Sequence, residues 1–176
     1  MAVVLSAFTA KAQQDYVITT NGDSIKCKIN IPFIGSPKYK IEGSNESKKI
    51  KADSVNEYYT ADKSTWYRRV FYDPKGLWVR NKVCFMTVVE SGKINLYELI
   101  TDYNNVTITG WYASKGTNTV ILIKETGLLG NRKRRDFETL IADNKAVYEK
   151  YTADDKFGFD KIRNLVHLYN TTEPYK

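Results

Sequence analysis

At 176 residues the chain can bury one substantial core and falls short of two comfortable ones. Ten Gly and four Pro alongside 42% apolar residues exclude a collagen-like or disordered chain. The formal net charge of +7 selects for anionic partners, such as lipid phosphates, acidic glycans or peptidoglycan, without choosing among them.

In chain order, the first feature is the apolar run Ala2–Ala10, followed by small residues at Ala10 and Ala12 and then Gln13-Gln14. That pattern reads as a secretory signal peptide over residues 1–12, although no Lys or Arg precedes the apolar run. The expected location is therefore the periplasm, the outer-membrane surface or the exterior. Neither cysteine follows the signal where an acylated one would stand, so a lipoprotein is not expected. A nucleic-acid partner does not fit an exported chain, and the run is too short for a transmembrane helix.

Residues 13–176 are expected to form a single α+β domain, with strands over about 15–125 and helices over about 131–170. Tyr16–Thr20 and the alternating Ile25, Cys27, Ile29 and Ile31 flank Asn21-Gly22, a hairpin signature with those four side chains on one buried face. Lys38–Glu42 and Ser47–Ala52 read as two strands about Gly43-Ser44-Asn45. Asp53–Tyr59 fits no single period, and Thr65–Tyr72 is an aromatic-rich strand. Thirteen Tyr in the whole chain suit half-buried strand faces, where the ring packs and the hydroxyl stays wet.

Val83–Glu90 and Lys93–Thr101 about Ser91-Gly92 form a hairpin apolar on both faces, which predicts cover on both sides. Val106–Ser114 and Asn118–Glu125 form another. Beyond Gly130 the apolar period becomes helical: Phe137, Leu140 and Ile141, then Val147, Tyr148 and Tyr151 after a break at Asp143-Asn144. Phe159, Ile162, Leu165, Val166 and Tyr169 mark a last helix. The expected fold is an antiparallel sheet or partial barrel with two or three C-terminal helices packed on it.

Gly22-Asp23-Ser24-Ile25-Lys26-Cys27-Lys28-Ile29 resembles the G-D-x-I-x-G-x-I opening of a family of uncharacterised, secreted β-rich proteins of Bacteroidota. Trp111–Gly116 and the closing Ile162–Asn170 helix are similar to its later segments. Cys27 stands where that family more often has Gly. The resemblance implies habitat and fold, not chemistry.

Chemistry-bearing residues are sparse. One His and two separated Cys cannot make a usual zinc site, and no metal or cofactor is expected. His167 falls off the apolar stripe of the last helix and is expected to face solvent, so no catalytic residue is assigned. Cys27 and Cys84 either form a disulfide or pack as small hydrophobes, and their spacing leaves both open. Glu98 sits on an apolar face, expected opposite Phe85, where desolvation would favour its protonated form. Rim exposure or an ion pair explains it equally.

Arg132, Lys133, Arg134 and Arg135 stand where a loop enters a helix. Cations there oppose the helix dipole and mark either an anion-binding patch or a solvated charge run. The function expected is a non-catalytic envelope or secreted module binding a surface protein, a glycan or an anionic envelope component. The alternative is a carbohydrate-acting hydrolase with Glu98 as acid and Glu90 or Asp102 as its companion.

Overall fold

A computed structural model describes residues 14–32, 35–72, 83–103, 106–126, 134–153 and 157–175. The expected signal segment and two members of the basic cluster, Arg132 and Lys133, lie outside the described residues. Ten strands and three helices among the described residues make an α+β chain, organised as two compact units meeting in sequence at Thr65 and Trp66.

The first unit holds β1 (Tyr16–Thr19), β2 (Ser24–Asn30), β3 (Lys38–Ile41), β4 (Ser47–Lys49) and β5 (Val55–Thr60). They pair antiparallel in the order β5-β1-β2-β3-β4. The β1–β2 connection is a tight loop: Ile18 faces Ser24, the Thr19 N–H donates to the Asp23 carbonyl at 2.9 Å, and Gly22 takes φ 91°. Asn21 keeps a negative φ, so Gly22 alone supplies the left-handed residue such a loop needs. Period-two alternation buries Cys27 and Ile29 as expected, alongside Val17, Val55 and Tyr58. Ile31 is 37% exposed, because β2 ends at Asn30 ahead of Pro32 and the alternation has no partner strand to continue against.

β1 is short, and Asp15 completes its ladder with a side chain. Its carbonyl accepts from the Cys27 N–H at 3.0 Å. Its carboxylate accepts from the Ile29 N–H at 2.7 Å and the Ala61 N–H at 2.8 Å. A carboxylate only 7% exposed is tolerable because both oxygens have backbone donors.

The second unit comprises β6 (Thr65–Tyr72), β7 (Val83–Glu90), β8 (Ile94–Tyr103), β9 (Val106–Lys115), β10 (Thr119–Glu125), α1 (Arg134–Ile141), α2 (Lys145–Thr152) and α3 (Phe159–Thr171). Four antiparallel pairings run from β6 to β10. β10 then meets β6 in parallel over two residue pairs, Thr119–Phe71 and Val120–Tyr72, so the sheet bends into a partial ring. That parallel seam departs from the all-antiparallel expectation. Closure of a twisted sheet joins whichever edges come round together, irrespective of chain direction.

One sheet face packs Val70, Tyr72, Met86, Tyr97, Tyr112 and Val120 together. The other packs Ile94, Leu96, Trp111, Ala113 and Ile123 against Phe137 and Ile141 of α1, Val147 and Tyr151 of α2, and Ile162, Leu165, Val166 and Tyr169 of α3. The two-sided cover expected from the apolar β7–β8 hairpin is thus met. Asn144 separates α1 from α2 by accepting the Val147 N–H at 3.2 Å, an N-cap at the expected break.

Polar side chains pin α3 in place. Asn170 brackets Ile94, accepting its N–H at 2.9 Å and donating to its carbonyl at 2.8 Å. A Cβ on Gly92 would lie 2.5 Å from the Asn170 side chain, so a larger residue there must displace Asn170 from its place beside Ile94. The Tyr169 hydroxyl and the Lys115 ammonium both donate to Asp143, holding its carboxyl below the usual carboxylate range.

Candidate functional site

The first unit carries a hollow of about 700 Å³, within the range of ligand-binding concavities. Its lining combines Asp15, Cys27, Lys28, Lys40 and Glu42 with the polar turn Gly43-Ser44-Asn45. The register explains the pair of lysines. Lys28 stands directly opposite Lys40 across β2 and β3, on the face turned away from buried Cys27 and Ile29. Among the described residues neither lysine has a carboxylate within ion-pairing distance.

A second, smaller hollow of about 280 Å³ is lined by Asn30, Pro32, Gly35, Ser36, Lys38 and Lys49. Lys38 and Lys49 are again direct cross-strand partners, on β3 and β4. Like charges directly opposite one another destabilise a strand pair. The ribbon carries two such pairs on one face.

The thiol at the hollow is not activated as a nucleophile. Burial, reinforced by the neighbouring Asp15 carboxylate, pushes the Cys27 thiol up to about 11, so it stays protonated at neutral pH. Burial alone pushes Cys84, in the second unit, up to about 11. Both are free thiols, with no disulfide between them. At pH 8 their reaction with a disulfide-exchange reagent is expected to run about 100-fold slower than that of an ordinary thiol, from the thiolate fraction alone. Urea should restore the ordinary rate; equal native and denatured rates would show exposed thiolates. The same shifts have a pH consequence. A folded-state pKa above the unfolded 9.0 favours the folded chain fully below pH 9. That contribution is lost as pH rises from 9 toward 11.

The residues singled out in the sequence fall elsewhere. Glu98 pairs with Thr87 rather than Phe85, because the loop after β7 and a bulge at Val89 shift the register by two residues while keeping the same face. Its Oε2 accepts the Trp111 indole N–H at 2.9 Å, the two residues being cross-strand partners. Of its expected companions, Glu90 accepts from Arg163 Nε at 3.4 Å and lies 3.4 Å from His167 Nδ1. Asp102 accepts from the Thr107 hydroxyl at 2.7 Å. None of these three carboxylates lines either hollow.

His167 is not turned fully to solvent as expected. Its side chain is 25% exposed and packs edge-on against Tyr175, whose ring also receives the Arg163 guanidinium at 4.3 Å. The arrangement ties α3 to the end of β7. Of the basic cluster, α1 begins at Arg134, and Arg135 is exposed on its first turn. Among the described residues no group of three or more His, Cys, Asp or Glu is placed to hold a metal ion.

Sequence reasoning missed the paired lysines. Their signal was present as Lys26-Cys27-Lys28 and Lys38-Tyr39-Lys40, in which alternate positions are all cationic. The outer side of a hairpin is ordinarily polar, so nothing local marked these positions until the register set them opposite each other. Comparison with known protein families, characterised proteins and solved structures finds no match to this chain.

Proposed function

We propose that the protein is a non-catalytic binding module of the cell envelope or its exterior, taking an anionic ligand at the hollow of its first unit. The observation that carries this reading is the Lys28–Lys40 pair, two cations side by side with no ion-pair partner among the described residues, lining a concavity of about 700 Å³. An anion bound between them relieves their repulsion and gains two charge-assisted hydrogen bonds. Export is supported by the apolar run Ala2–Ala10 and the small residues that close it. The hydrolase alternative has weaker support, because Glu98, Glu90 and Asp102 each serve a structural partner away from the hollows.

Binding measured at about 20 mM salt should be detectable on at least one of three probes and fall steeply by about 200 mM. The probes are heparin, polygalacturonate and phosphatidylglycerol vesicles. Glu98→Gln should leave that binding unchanged. A protein that binds none of the three at low salt is not an anion-binding module. N-terminal sequencing of exported protein should begin near Gln13, and intact protein confined to the cytoplasm would remove the envelope from the reading.

A further inference from the structure

The two hollows repeat the same chemistry at a fixed interval. Lys28 and Lys40 line one, Lys38 and Lys49 the other. The pairs stand two residues apart along β3, where Lys38 and Lys40 share a face, and one strand apart across it, since Lys40 meets Lys28 on β2 and Lys38 meets Lys49 on β4. Two residues of extended strand span about 7 Å and return to the same face. We infer that this face of β2–β3–β4 binds a strand of acidic polysaccharide, with successive anionic groups seated between Lys28 and Lys40 and between Lys38 and Lys49. The inference rests on the binding-module reading and names its ligand class.

Three features favour a glycan over other polyanions. Asn30 and Ser36 in one hollow, with Glu42, Ser44 and Asn45 in the other, offer neutral donors and acceptors plus a carboxylate suited to sugar hydroxyls. Among the described residues of this unit the exposed large hydrophobics are Ile31 and Ile41, and only Ile41 lines a hollow, beside Lys28 and Lys40. One such side chain is too little apolar surface to anchor in a bilayer. The unit also contains no arginine, the residue whose planar fork suits phosphodiester recognition, and the Tyr16 ring beside Lys26 is already stacked on Tyr59 at 5.4 Å.

The unpaired charges point the same way. Two like-charge cross-strand pairs break a rule of sheet stability with no compensating contact among the described residues. Sites that violate a local rule in this way are where function is expected. Lysines on an edge strand also discourage edge-to-edge aggregation, but that purpose needs charge on β4, not matched pairs reaching in to β2.

The test uses the whole protein with polygalacturonate, galacturonic acid and heparin as probes, and with the variants Lys28→Gln/Lys40→Gln, Lys38→Gln/Lys49→Gln and Lys40→Glu. A polymer spanning both pairs should bind about 100-fold more tightly than the monosaccharide. Each double variant should lose about tenfold in polymer affinity at low salt, and the quadruple variant should lose binding altogether. Lys40→Glu should bind the polymer more weakly yet melt at a higher temperature in low salt, having turned a repulsive cross-strand pair into an attractive one. Lower melting together with weaker binding would mean a damaged fold and would overturn the relieved repulsion. Equal affinity for monosaccharide and polymer, or no effect of Lys38→Gln/Lys49→Gln, overturns the two-hollow site. Binding to phosphatidylglycerol vesicles but to neither polysaccharide leaves the module reading standing and discards the glycan. Failure on every probe discards both.

Discussion

A chain ending at Gly158 is expected to lose its cooperative melt and bind a hydrophobic dye. Truncation there removes Ile162, Leu165, Val166 and Tyr169, all 6% exposed or less, from one continuous core. Burying a single aliphatic side chain of this size contributes about 2 kcal/mol, and leaving a cavity in its place adds to the loss. Four such losses match the whole stability of a typical domain, about 5–15 kcal/mol. The polar ties go with them. Ile94 would lose both Asn170 contacts, and Glu90 its contacts with Arg163 and His167. Ile94, Leu96 and Trp111, now covered, would face water on the sheet face that α3 leaves. Calorimetry and dye fluorescence provide the measurement. Ile162→Ala is the graded control, with an expected loss of about 2–4 kcal/mol in urea unfolding. A soluble truncation melting sharply near the full-length temperature would show that α3 is an appendage.

Asp15→Ala is expected to cost about 2–5 kcal/mol, from a substitution outside any regular strand. Its carboxylate is the acceptor for two backbone N–H groups, those of Ile29 and Ala61. Leaving a buried N–H without an acceptor costs about 1–3 kcal/mol each. Asp15→Asn keeps one acceptor oxygen and should cost less, about 1–2 kcal/mol. Urea unfolding followed by tyrosine fluorescence gives the loss, and native-state hydrogen exchange localises it. The Ile29 and Ala61 amides should exchange faster in Asp15→Ala, ahead of those of β8 and β9. An Asp15→Ala protein within about 0.5 kcal/mol of wild type would mean that water reaches those amides.

The elements were legible because they follow from periodicities local to the chain. Apolar residues alternating through Ile25–Ile29 can bury one side only as a strand, and Phe137, Leu140 and Ile141 align only on a helix. Asn144 announced the break between α1 and α2 because its side chain can satisfy an amide that the helix start leaves open. Asp53–Tyr59, which fits no simple alternation, became β5 because a tertiary partner was available: Val17 and Tyr16 of β1 face Tyr58 and Tyr59. Pairing overrode a weak local signal there.

Everything concerning the site depended on register and on distant chain, which no local period encodes. Asp15 bonds residues 14 and 46 positions away. Glu98 exchanged Phe85 for Thr87 through one loop length and one bulge, and its Trp111 partner lies across a different pairing. His167, off the apolar stripe, still found Glu90 because α3 crosses the end of β7. The sequence by itself determined the helices, the strands with a clear period and most of the core, since burial of apolar surface is the dominant driving force of folding and shows in spacing. Only the tertiary structure decided that Lys28 meets Lys40 and Lys38 meets Lys49, because a cross-strand neighbour is set by the turn that joins the strands, and a slip of one residue moves every side chain to the other face.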